Sequence, residues 1–168
     1  MSCSPRELLA LAVELRALEK SEAVERCVVS RAYYAALHAV DQTFEARDQK
    51  FRVDGESSHA EIIGRATAYS SRIVPGRSDA AFIAKQSHRL RRERNHADYH
   101  IEKEMRANSH VEAIELATKI LDTCDEVIRK LKAADALSLT GMASTAAEAV
   151  VTAAAVPARP RPTLIRIR

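Results

Sequence analysis

Tryptophan is absent from this chain of 168 residues, and glycine (4), proline (5) and cysteine (3) are scarce. So few turn formers disfavour a fold of many short strands and leave long helices as the expected elements. Cys3, Cys27 and Cys124 are odd in number, far apart, and fit neither a disulfide framework nor zinc spacing. Cys27 and Cys124 are read as small core residues in a reducing compartment. No run reaches the roughly 18 apolar residues that suggest a membrane span, and the N-terminus MSCSPRELLA lacks the basic flank and apolar run of a signal peptide. A cytoplasmic location without a membrane partner is therefore expected. Neither sign of charge dominates: 26 Lys and Arg against 23 Asp and Glu permit contact with a polyanion without requiring it.

With 46% hydrophobic and 29% charged residues the composition is globular, and the length supports one sizeable core plus a tail. Ser4-Pro5-Arg6-Glu7 joins an N-cap serine, a first-turn proline and a capping-box glutamate, so a first helix begins there. Leu8, Leu11, Leu15 and Leu18 give it an apolar face, and it should end near Lys20. A second helix from Ser21 carries Val24, Cys27 and Val28 on one side and Val29, Tyr33, Leu37, Val40 and Phe44 on a neighbouring one. So wide an arc implies more than one partner helix. Arg47 to Ser57 reads as a loop that Phe51 would anchor.

A shorter helix is expected over His59–Ser70, and Pro75-Gly76 then breaks the chain before Ser78-Asp79 caps a fourth helix. The fifth should start at a capping box, Ser109 to Glu112, above a stripe of Ile114, Ala117, Leu121, Cys124, Ile128 and Leu131. The expected architecture is thus an all-α, up-and-down bundle of about five helices over residues 1–137. Residues 138–168 are alanine-rich and then alternate proline with arginine, and are expected to form a poorly ordered tail in which the alanine-rich part allows a short helix.

The densest charge lies in His88-Arg89-Leu90-Arg91-Arg92-Glu93-Arg94-Asn95-His96, where guanidinium forks suit phosphate oxygens. Taken alone, such a run is more often a solvated face. Arg94 differs from its neighbours because Phe82 or Ile83, Leu90, Ala97 and Ile101 mark an inner stripe, and Arg94 falls four residues after Leu90 and three before Ala97. It should point inward, with Asp98 one turn later as its ion-pair partner.

Two segments resemble the HEPN family. Ser30-Arg31-Ala32-Tyr33-Tyr34-Ala35-Ala36-Leu37-His38-Ala39 is similar to the family's early-helix signature, and Arg94-Asn95-His96-Ala97-Asp98-Tyr99-His100 to its arginine, polar residue, spacer and histidine motif. The Ala-Asp-Tyr core resembles small, stand-alone prokaryotic members. The resemblance covers roughly the first 135 residues and implies a bundle that dimerises around a shared cleft and cleaves RNA without metal or cofactor. Arg94, Asn95 and His100 would then be catalytic, with Arg91, Arg92, His96 and Tyr99 binding RNA or phosphate. It also implies the context of a toxin or phage-defence effector with an antitoxin partner, or alternatively a non-catalytic module that binds a nucleotide, RNA or a nucleotidyltransferase.

The residue types suit that chemistry, since histidine exchanges protons near neutral pH and arginine stabilises charge on phosphoryl oxygens. Six residues on an ideal helix place Arg94 and His100 about 120° apart, so both reach one phosphate only if the helix ends, bends or pairs with a dimer mate. Tyr34 and His38 would line the cleft, although on a broad apolar helix such residues more often belong to the core. His59, His88 and His110 fall near expected helix starts or surfaces, and no pair has metal-ligand spacing, so no metal is expected. A purely structural helical dimer, with Arg94 held by Asp98, is the remaining possibility.

Overall fold

The computed structural model describes residues 3–18, 21–44 and 58–153, with side chains over 3–18, 21–44 and 59–137. The described elements are all helical: α1 (Pro5–Arg16), α2 (Glu22–Phe44), α3 (Ser58–Ser70), α4 (Arg77–Tyr99) and α5 (Ser109–Ala153). Met1–Leu131 forms one compact unit, and α5 passes after Leu131 into a second, Lys132–Arg168. No described helix is long and apolar enough to cross a membrane.

In the first unit α2 packs against α1, α3 and α4. Its small residues Ala32, Ala35, Ala36 and Ala39 are all buried, which lets neighbours approach its backbone from several sides, while Val28, Val29, Tyr33, Leu37, Val40 and Phe44 fill the space between. The wide apolar arc thus has the several partners it called for. Cys27 is a correction: it is exposed, because α2 turns that position away from the core, and only Cys124 is buried. On α1 the buried face runs through Leu9 and Ala12, with Leu8 and Leu15 packed against the core. Leu11 and Leu18, expected inside, are exposed because the small Ala12 sets the contact and Leu18 lies beyond the helix end.

Helix boundaries follow local chemistry, though not always the expected one. The Ser4–Glu7 capping box forms, and the Ser21 hydroxyl accepts from the Val24 N–H at 3.3 Å to open α2. At α4 no side chain caps: Gly76 precedes the helix at φ 79°, a conformation suited to glycine, while Asp79 accepts instead from Lys130 at 2.7 Å. At α5 the expected box is also absent, because Arg106 grips Glu112 with two bonds of 2.8 and 2.7 Å. Asn108, at φ 62°, opens that helix through its carbonyl, and the Ser109 hydroxyl is buried without a hydrogen bond.

The α5 stripe is buried at Ile114, Ala117, Leu121, Cys124 and Leu131, joined by Ala113, Ile120 and Val127, with Ile128 half-buried. Helix continues through the alanine-rich stretch to Ala153, where the sequence allows an Ala-rich helix. The proline and arginine alternation of 154–168, the loop at 47–57 and Phe51 lie outside the described residues.

Candidate functional site

The stripe on α4 that turns Ile83, Leu90 and Ala97 inward carries Arg94 with it, and Arg94 is only 9% exposed. Phe82 lies on the outer side of that stripe, and Ile101 falls beyond the helix end, so both are exposed. The Arg94 Nε stands 2.7 Å from Asp98 Oδ2, the pairing that the one-turn spacing predicts. This is an ion pair without a directed hydrogen bond, since the Nε–H itself is unsatisfied. The other nitrogens donate more directly: Nη1 to the Tyr99 hydroxyl at 3.0 Å and, at 3.4 Å, to Asn95 Oδ1, and Nη2 to the Tyr34 hydroxyl at 2.9 Å. The guanidinium carbon lies 4.7 Å from the Tyr99 ring centre and 5.5 Å from that of Tyr34, within cation–π range. Burial works against its charge, but Tyr99, Asp98 and Tyr34 outweigh that and hold its pKa above the ordinary arginine value.

Asp98 also accepts from the Ser30 hydroxyl at 3.2 Å. The two segments singled out in the sequence, one on α2 and one on α4, therefore meet through Ser30–Asp98 and Tyr34–Arg94. Tyr33, beside them, is fully buried, with its hydroxyl unpartnered and its pKa pushed up to about 12 by burial.

The end of α4 is fixed from α2 as well. Arg26 donates to the carbonyls of Ala97 at 2.7 Å and Lys103 at 2.6 Å, with longer contacts to those of His96 and His100, while Glu22 holds it at 2.6 Å. A cation here satisfies carbonyls that a helix end leaves free and suits the negative pole of the helix dipole. His100 then leaves the helix at φ −118° and ψ 56°. The helix therefore ends between Arg94 and His100.

His100 is half-exposed, with Nδ1 3.4 Å from Glu102 Oε1 and its ring 6.0 Å from that of His96. A hydrogen bond from its own backbone N–H, and then His100, keep the Glu102 carboxylate below its usual pKa range. His96 Nε2 lies 3.2 Å from the Glu104 carbonyl. Among the described residues the side-chain contacts of His100 are with these neighbours, so it stands apart from the cluster around Arg94. Arg92 and His38 are exposed, whereas Arg91 and Asn95 are half-buried.

Sequence reasoning missed two residues. Arg26 was invisible because its partners lie some 70 positions away, the one local hint being Glu22 a turn earlier. His59, at the start of α3, packs its ring 5.5 Å from Tyr33 and 5.7 Å from Tyr34. Burial first, then Arg94, Arg91 and His38, lower its pKa. A cleft of about 340 Å³ near the start of α5, lined by Arg16, Glu25, Asn108 and His110 among others, shares no residue with this cluster. Among the described residues no group of three or more His, Cys, Asp or Glu side chains could hold a metal ion. No family model, curated protein or solved structure matches the chain, so a functional argument has to rest on the site itself.

Proposed function

We propose that the chain is a metal-independent endoribonuclease of the HEPN type. The observation that carries this reading is the end of α4, where a half-exposed imidazole leaves the helix six residues after a guanidinium whose charge is secured by Asp98. His100 serves as general acid or base, Arg94 stabilises charge on the phosphoryl oxygens, and Asn95 orients the scissile phosphate. Arg91, Arg92 and His96 contact flanking phosphates, and the Tyr99 ring, 66% exposed, offers a face on which a base can stack. Binding of phosphate to Arg94 displaces the Tyr99 hydroxyl from Nη1. The products are a 2′,3′-cyclic phosphate and a 5′-hydroxyl. In this reading the protein works in the cytoplasm as a homodimer, as a toxin or phage-defence effector restrained by an antitoxin.

The test is incubation with mixed RNA in EDTA, comparing wild type with His100→Ala and Arg94→Ala. Cleavage by wild type that both variants lose is the expected result, and cleavage that survives in His100→Ala refutes it.

One observation favours a second reading, a non-catalytic HEPN module that binds a nucleotide, RNA or a nucleotidyltransferase. Asp98, Asn95, Tyr99 and Tyr34 already engage Arg94, as they would engage a residue that stabilises the cluster. That reading expects RNA or nucleotide binding without cleavage.

A further inference from the structure

We infer that His59 is a second catalytic histidine of this site, the base that takes the proton from the attacking ribose 2′-hydroxyl. The inference rests on the ribonuclease reading, which by itself supplies one histidine for a reaction that must both remove a proton and deliver one.

Placement comes first. The His59 ring contacts the rings of Tyr33 and Tyr34 at 5.5 and 5.7 Å, and the same two rings carry the Arg94 guanidinium at 5.9 and 5.5 Å. Imidazole and guanidinium thus share one aromatic platform, one supplied by α3 and the other by α4. His59 is half-buried, and its ring is packed against both tyrosine rings. An imidazole fixed by packing on the platform that also carries the Arg94 guanidinium is suited to proton transfer.

Charge comes second. Among the described residues the groups that face His59 from other helices are Tyr33, Tyr34 and His38 from α2 and Arg91 and Arg94 from α4. On its own helix the nearby Glu61 is held by Arg65 at 2.8 Å. Burial and these cations both oppose a second positive charge and favour the neutral ring. His100 is half-exposed, with Nδ1 3.4 Å from Glu102 Oε1.

The step then balances. His59 accepts the 2′-hydroxyl proton as O2′ forms a bond to phosphorus and the P–O5′ bond breaks. His100 donates its proton to the departing O5′, and Arg94 holds the phosphoryl oxygens. The 2′,3′-cyclic phosphate and the 5′-hydroxyl leave a protonated His59 and a neutral His100, which exchange protons with water to reset.

The experiment is a pH–rate profile of RNA cleavage in EDTA by the full chain, for wild type, His59→Ala, His59→Gln and His100→Ala, with a thermal melt of each. The expected result is a wild-type kcat/KM that falls on the acid side as His59 becomes protonated. Both His59 variants should lose about 100- to 10,000-fold in rate and should lack that acid limb while remaining folded. Cleavage that requires His100 but survives with its acid limb intact in the His59 variants overturns this inference alone. A folded His59→Gln that is slower yet keeps the acid limb marks a packing role and overturns it too. Absence of cleavage by wild type overturns the ribonuclease reading, and the base with it.

Discussion

Replacing Arg94 by alanine would test the site at its most connected residue. The change removes the counter-charge of Asp98 and the donor to the Tyr34 and Tyr99 hydroxyls at once. Breaking a buried pair from one side costs about 3–5 kcal/mol. Here the arginine side chain is 11% exposed but Asp98 is 24% exposed, and Asp98 keeps the Ser30 hydroxyl. The orphaned carboxylate therefore recovers part of its hydration, and the lower edge of the range, about 3 kcal/mol, is expected. In a unit of this size that corresponds to a fall in Tm on the order of 10 °C. Urea denaturation followed by circular dichroism should show a lower midpoint at unchanged slope. Asp98→Ala should cost a comparable amount, because it strands the less exposed partner. The double variant should show a coupling of about 1–3 kcal/mol. A cost below about 0.5 kcal/mol for Arg94→Ala would refute the argument that Arg94, paired with Asp98 within α4 and bonded to Tyr34 on α2, stabilises the fold.

Tyr33→Phe should be neutral or stabilising by about 1 kcal/mol in chemical denaturation, because it deletes a buried hydroxyl that has no partner. Because burial pushes the Tyr33 pKa up to about 12, ionisation favours the unfolded chain and the folded state loses stability as pH rises from about 10 toward 12; a pH series of melts should show that loss weakened in the variant. Arg26→Ala should cost about 1 kcal/mol, chiefly by leaving the part-buried Ala97 carbonyl without its donor while water reaches that of Lys103. Hydrogen exchange should rise first in the last turn of α4, and equal protection there in variant and wild type would sink that account.

What could be read from the sequence was local. The inward turn of Arg94 and its pairing with Asp98 follow from a stripe and a one-turn spacing, and the apolar seam of α5 follows from its period. The caps of α4 and α5 were misread because a capping side chain is decided by competition. Lys130 took Asp79 and Arg106 took Glu112, leaving Gly76 and Asn108 to open those helices by backbone geometry. Lys130 and Arg26 act across long separations in sequence, so no window along the chain contains the contest. His59 was overlooked for the same reason, since only the packing of α3 against α2 brings its ring to the tyrosines. The position of Cys27 depended on which side of α2 its neighbours occupy, which periodicity alone left open.

The contacts that build the candidate site are also those that dock α4 on α2. Arg26 reaches from α2 to close the end of α4, and Arg94 and Asp98 reach back from α4 to Tyr34 and Ser30. A ligand that engages Arg94 must therefore compete with tyrosine hydroxyls that stabilise the fold, so binding and local stability are thermodynamically linked. Loss of activity in Arg94→Ala would not by itself assign it a chemical role, since a loosened α4 would also misplace His100. His100 gives the cleaner separation: its side chain is half-exposed and stands outside the Arg94 cluster, so His100→Ala should leave stability nearly unchanged while abolishing cleavage. A folded, inactive His100→Ala beside a destabilised Arg94→Ala would assign proton transfer to the helix end and scaffold duty, at least in part, to the arginine.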